Sequence, residues 1–190
     1  MNNELKHYGV KGMKWGVRKD RRIPTVFISG SSKTQNRDSE WYRKELPRSI
    51  RAKVNSYIKS HKRIIIGDAP GIDTQVQNYL KRKGYKNVIV YSTGKARYKA
   101  DNDWKNRKVK SNAPVGSKEY LAAKDSAMRS AATEGLAVVI PNGASATRNN
   151  IADLIKNQKS VSVIELGDKE NLVMNYDPSP EDEKYDKNIF

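Results

Sequence analysis

The sequence predicts one α/β domain, about five mostly parallel strands with helices on both faces, and three observations carry that expectation. Short apolar runs recur along the chain, at 25–28, 63–66, 87–91, 136–140 and 161–166, most of them rich in β-branched residues. Between them lie stretches whose apolar residues fall at helical spacing. The order strand, loop, helix therefore repeats, and successive units of that kind build a parallel sheet with right-handed crossovers. Third, several runs end in loops of small residues, where a helix N-terminus can meet a ligand carrying phosphate or other oxygens.

At 190 residues the chain has length for one domain with a full core and too little for two of ordinary size. It holds no cysteine, which excludes disulfides and thiolate metal sites. His7 and His61 fall on opposite sides of the first expected strand, so no metal site is expected. No apolar run is long enough to cross a bilayer, and the basic N-terminus lacks the apolar segment of a signal peptide, so no membrane partner is expected either. The formal net charge of +16 asks for an anionic partner. Acids gather near the end, at Asp177, Glu181, Asp182, Glu183 and Asp186, which leaves the body more basic still. Such a balance attracts nucleic acid nonspecifically, or phosphorylated small molecules, and does not choose between them.

Residues 1–22 read as a separate basic arm. No single period fits its three glycines, two aromatics and cations, so it is not expected to fold alone. Tyr8, Met13 and Trp15 can anchor it in a groove on a partner, and a disordered basic arm is the plainer alternative. The domain proper spans 23–167, opening with a central strand at 25–28 that ends in Gly30-Ser31-Ser32. A helix follows within 42–60, with Ile50, Val54, Tyr57 and Ile58 on one face and Pro47 near its start. The strand at 63–66 feeds Gly67-Asp68-Ala69-Pro70-Gly71-Ile72-Asp73, then a helix with Val76, Tyr79 and Leu80 on one face that ends at Gly84.

After the strand at 87–91 the segment 92–115 is polar and strongly basic around Trp104, and reads as a long functional or solvated loop. An Arg of this segment and Trp104 can together grip a base and its phosphate, the alternative being a basic flap around one buried tryptophan. Ser117 starts the next helix with part of a capping box. The strand at 136–140 is stopped by Pro141, Asn142 and Gly143, and Ile151, Leu154 and Ile155 then recur at helical spacing. Beyond the strand at 161–166, residues 168–190 read as an extended or disordered acidic tail.

The loops supply the candidate site. Backbone N–H groups around Gly30 and Gly143, with the hydroxyls of Ser31, Ser145 and Thr147, can hold phosphate or ribose oxygens. Asp68 or Asp73 can accept from ribose hydroxyls, although Asp73 has an equal reading as an acid answering the helix dipole. Asp125 or Asp68 can serve as the carboxylate of a reaction at a glycosidic bond.

The segment His7-Tyr8-Gly9-Val10-Lys11-Gly12-Met13-Lys14-Trp15-Gly16-Val17-Arg18 resembles an N-terminal segment carried by varied proteins of tailed-phage structural gene regions. That resemblance implies a phage protein, in the bacterial host cytoplasm or the virion, with residues 5–19 touching capsid or portal. The body, over about 25–166, resembles the SLOG superfamily of Rossmann-like domains, related to the LOG phosphoribohydrolases and the DprA-type DNA-processing proteins. The carriers are Ser29-Gly30-Ser31, the loop from Gly67 to Asp73, Lys124-Asp125-Ser126-Ala127-Met128, and Asn142-Gly143-Ala144-Ser145-Ala146-Thr147-Arg148-Asn149-Asn150-Ile151. The resemblance implies a nucleotide or nucleotide-sugar bound over the C-terminal ends of the strands. It brings Gly67, Gly71, Lys124, Met128, Asn142 and Arg148 to the site and, by analogy, Arg97, Trp104 and Asp125. Asn150 stands where the LOG enzymes carry a glutamate, so the resemblance points to binding ahead of LOG-type hydrolysis.

The expected function is thus binding of a nucleotide-type ligand, such as an ADP-ribose species or signalling nucleotide, with sequestration in counter-defence as one use. No cofactor beyond that ligand is named, and a homo-oligomer is expected. The alternatives are an N-glycosidic hydrolase or transferase acting on nucleotides, and a DNA-binding structural head protein.

Overall fold

The computed structural model describes residues 23–31, 46–140, 145–166 and 170–177. They form a sheet of seven strands flanked by four helices. In chain order these are β1 (Thr25–Gly30), α1 (Arg48–Lys59), β2 (Arg63–Ile66), α2 (Ile72–Arg82), β3 (Val88–Thr93) and β4 (Lys105–Val109). After them come α3 (Lys118–Ala131), β5 (Glu134–Val139), α4 (Ser145–Lys156), β6 (Ser160–Leu166) and β7 (Glu170–Tyr176). The strand order is β4-β3-β2-β1-β5-β6-β7, with every pair parallel except β6 and β7. This is the Rossmann-like α/β arrangement, with β1 at its centre. The chain steps outward from β1 to β4 and then returns to lay β5 on the other side of β1. The sheet's switch point therefore lies between β1 and β5, two adjacent strands whose following helices, α1 and α4, pack on opposite faces of the sheet.

Two apolar layers cover the two faces. On one, Val26, Ile28, Ile64, Ile66, Val88 and Val90 pack under Ile50, Val54 and Tyr57 of α1 and Ile72, Val76 and Leu80 of α2. On the other, Phe27, Ile65, Tyr91, Ala137 and Val163 meet Met128 of α3 and Ile151 and Leu154 of α4. Alternate residues of each central strand serve opposite layers, which is why these strands are apolar throughout. Polar contacts set the ends. Thr133 donates its backbone N–H to the Thr25 carbonyl at 2.8 Å, and Ser117 Oγ caps α3 by accepting from Tyr120 N at 3.1 Å. Pro47 precedes the first turn of α1, where its fixed φ costs nothing.

Two strands exceed the expected five. β4 lies inside the basic segment read as a loop, and β7 occupies part of the stretch read as tail. β4 carries one apolar residue, Val109, and pairs with β3 alone. An edge strand exposed on its outer side can be polar, so side-chain pattern does not betray it. β7 turns back antiparallel on β6 with a register shift at Val163/Ile164 and closes the opposite edge. The N-terminal arm (1–22), the remainder of the acidic tail (178–190), and Asn142 and Gly143 lie outside the described residues.

Candidate functional site

A cleft of about 1070 Å³ opens over the C-terminal ends of β1 and its neighbours. β1 brings Ser29, Gly30 and Ser31 to it, the start of α2 brings Asp73, the connection after β3 brings Arg97, α3 brings Lys124, Asp125 and Met128, and α4 brings Thr147 and Asn150. The close approach of α2 to β1 depends on glycine. A Cβ on Gly30 would sit 2.4 Å from Cβ of Ile72, so a larger residue would push the helix start away from the strand end. Gly71, just before α2, has φ 90°, a left-handed turn that aims the helix back over the sheet.

The charges of the site form two linked groups. Asp68, only 2 % exposed, accepts from Arg97 twice, from the backbone N–H at 3.0 Å and from the guanidinium at 2.7 Å. Burial pushes its carboxyl up, but the hydrogen bonds and charge of Arg97, with Lys124 behind them, outweigh this and hold it below the ordinary carboxylate range. Arg97 itself stays 41 % exposed in its side chain and faces the cleft. Asp68 thus orients a guanidinium whose remaining donors are open to a ligand.

The second group is buried. Lys124 bonds Asp125 at 2.7 Å. Its ammonium and the Asp73 carboxylate both press on Gly67, where a Cβ would lie 2.8 Å from Lys124 Nζ and 2.4 Å from Asp73 Oδ2. Gly67 therefore makes room for the charges without touching the ligand space itself. Burial pushes the Asp73 carboxyl up to about 7, with Asp125 and Asp68 adding to the rise and Lys124 and the Ala69 N–H opposing it. Burial works against the Lys124 charge too, yet Asp125, Asp73 and Asp68 together raise its pKa above the usual lysine value. Asp73 can therefore hold or release a proton near neutrality beside a permanently charged lysine.

α4 contributes Asn150, 2 % exposed, whose amide donates to Ser29 Oγ at 2.9 Å and, at 3.5 Å, to Asp125 Oδ2, while its carbonyl accepts from Arg129. Arg129 is in turn paired with Asp153 at 2.9 Å. This chain ties β1, α3 and α4 together around the Asp125 carboxylate.

Of the expected site residues, Gly30, Ser31, Asp73, Arg97, Lys124, Asp125, Met128 and Thr147 meet on the cleft, with Asp68 and Gly67 directly behind them. Trp104 does not join them. It is 2 % exposed in the core and spends its indole N–H on the Tyr85 carbonyl at 3.0 Å, so it cannot stack on a ligand. Arg148 is exposed away from the cleft lining, and Gly71 shapes the turn without lining the cavity. Ser145 opens α4, its side chain lying outside the described residues. Sequence reasoning named Ser29 and Asn150 only as parts of the motifs that carry the resemblance, without a site role, and did not name Arg129. The spacings that could have found them are Thr147 to Asn150 and Asp125 to Arg129, three and four apart on one helix face.

A family model described as a family of unknown function (DUF7211) matches residues 1–22. No curated protein and no solved structure matches the chain.

Proposed function

We propose that this protein binds a nucleotide or nucleotide-sugar, of the NAD or ADP-ribose type or a signalling nucleotide, in the cleft at the β1/β5 switch point. The observation that carries the reading is the pairing of a half-exposed guanidinium, clamped by Asp68, with a buried Asp73-Lys124-Asp125 group across one nucleotide-sized cavity. In this reading Arg97 takes a phosphate through its free donors. Ser31 and Thr147 offer hydroxyls to phosphate or ribose oxygens, and Asp125 accepts from ribose hydroxyls. Met128 and Leu121 supply the apolar wall on which a base rests. The resemblance of the strand-end loops to the SLOG superfamily supports the same ligand class.

A second reading, cleavage at the N-glycosidic bond of such a ligand, is favoured by one feature. Asp73 is raised to about 7 while Asp68, clamped by Arg97, is held below the ordinary carboxylate range, so the site holds two carboxyls whose environments push them apart. Incubation of the purified protein with NAD, ADP-ribose, nucleoside monophosphates and cyclic nucleotides, followed by native mass spectrometry, separates the readings. Retained intact ligand supports binding, and free base in solution supports cleavage. Arg97→Ala should weaken retention at least tenfold. Failure of the wild-type protein to retain or cleave any of these at millimolar concentration overturns both. For the arm, we propose a docking role on a virion component, supported by its resemblance to segments of tailed-phage proteins.

A further inference from the structure

We infer that the β4 edge of the sheet is a second binding surface, separate from the cleft, and that it takes the phosphate backbone of duplex nucleic acid without reading its sequence. From Lys105 to Lys110 four of six residues are cationic and none is acidic, and Lys105, Arg107, Lys108 and Lys110 are all exposed. Among the described residues Lys105, Lys108 and Lys110 have no acidic partner, and Arg107 meets only Tyr91, through its hydroxyl at 3.3 Å and its ring at 5.6 Å. The nearest acids in sequence are occupied, since Asp101 and Asp103 both pair with Lys86, at 3.2 and 3.1 Å. The uncompensated charge of this region therefore sits on β4, about 17 Å long at the usual rise per residue, and on Lys110 directly after it.

The choice of occupant follows from what the edge lacks. Among the described residues it has no exposed aromatic on which an unpaired base could stack, because Tyr91 is 1 % exposed and Trp104 is in the core. It presents no apolar row into which a partner strand could set its side chains, Val109 being packed against the layer under α3. A second copy of the same edge would meet like charge. What remains complementary is a dense, regular line of negative charge, and a duplex offers about one such charge per 1.7 Å of axis. Side chains alternate across a strand, so Lys105 and Arg107 lie to one side of the edge and Lys108 to the other, able to straddle a backbone, with Lys110 just past the strand end.

The test compares two charge reversals of equal size in the full chain, measured against a 20-base-pair DNA duplex by fluorescence anisotropy over a salt series. The edge variant carries Lys105→Glu, Lys108→Glu and Lys110→Glu, which keeps the edge charged and so guarded against self-pairing. The control carries Lys59→Glu, Lys81→Glu and Lys156→Glu, on exposed helix ends. The edge variant should lose at least tenfold in affinity at low salt, and its log-log salt slope should be shallower by about 3. The control should lose several-fold less, and both should keep the wild-type urea denaturation midpoint. The inference is overturned if the wild type does not bind the duplex at low salt, if the two variants lose affinity equally, or if polyglutamate at equal charge competes as well as unlabelled duplex does.

Discussion

The cleft and the β4 edge are both rich in cations, and they differ in how that charge is answered. In the cleft, Lys124 is buried and surrounded by Asp125, Asp73 and Asp68, and Arg97 is held by Asp68. On the edge, Lys105, Lys108 and Lys110 are exposed and have no acidic partner among the described residues. Desolvation explains the contrast. A charge out of water must be paired or it changes protonation state, whereas a lysine on an edge strand is hydrated and needs no partner. Net charge alone therefore says little about a binding partner. Compensated buried charge positions a small polar ligand, and uncompensated surface charge attracts a long anion.

The largest expected effect breaks the compensated side. Lys124→Met removes the cation while leaving Asp125 and buried Asp73 behind, which should cost about 3–5 kcal/mol of stability, the usual penalty for stranding half of a buried pair. Urea denaturation at pH 7.5 measures it. Double substitution with Asp73→Asn should recover part of the loss, and additive costs would show that the two groups do not interact.

The acid side of the same group predicts a pH dependence. Asp73 is raised to about 7 when folded, against an ordinary unfolded value near 3.9. Between these values the folded state binds the extra proton, so its contribution makes stability fall as pH rises from about 4 to about 7, by a few kcal/mol at most. Asp68 has the opposite sign. Its lowered value contributes stability that is present above the unfolded pKa and lost as pH falls through the folded one, outside that window. The Asp73→Asn variant should flatten the decline between pH 4 and 7, and an unchanged profile would remove Asp73 from the account.

How much of this was legible in the sequence depended on burial. β1, β2, β3, β5 and β6 announce themselves because each fills two layers, as Val26 and Phe27 do on opposite faces. β4 is silent because its sequence, Lys-Asn-Arg-Lys-Val, is shaped by solvent on its outer side, and only the ladder to β3 makes it a strand. β7 carries Leu172, Val173 and Met174, an apolar signal outweighed by the acids and prolines that follow. In the site, Asp68 and Asp73 were visible because they follow a strand directly, and Lys124, Asp125 and Arg97 entered through resemblance. Asn150 and Arg129 were not placed, since helical spacing tells which residues share a face but not which face meets a cavity. Trp104 misled for the same reason: one aromatic among cations looks like a stacking platform until its indole N–H is found on the Tyr85 carbonyl.

A smaller effect tests the frame that holds the cleft. Gly30→Ala drives a methyl into the branched base of Ile72, which cannot swing aside as a side-chain tip can. Overpacking of this kind costs roughly 1–3 kcal/mol. Because the strain falls at the cleft wall, ligand retention should drop along with the denaturation midpoint. Gly30→Ala combined with Ile72→Ala should not recover the midpoint, since alanine keeps the Cβ that the new methyl strikes and gives up the buried remainder of the isoleucine.

The smallest expected effect sharpens the comparison from the edge. The triple reversal at Lys105, Lys108 and Lys110 changes the net charge by six, yet each site is exposed and has no partner among the described residues to strand. Surface substitutions of that kind usually stay within about 0.5 kcal/mol each, and lowering a large positive charge relieves some self-repulsion in the other direction. The denaturation midpoint of the triple variant should therefore lie close to that of the wild type, although the single change at Lys124 moves it far. A large loss in the triple variant would mean that the edge cations have partners in the folded protein. The β4 edge would then be compensated like the cleft, and its claim to an external anion would fail with the contrast.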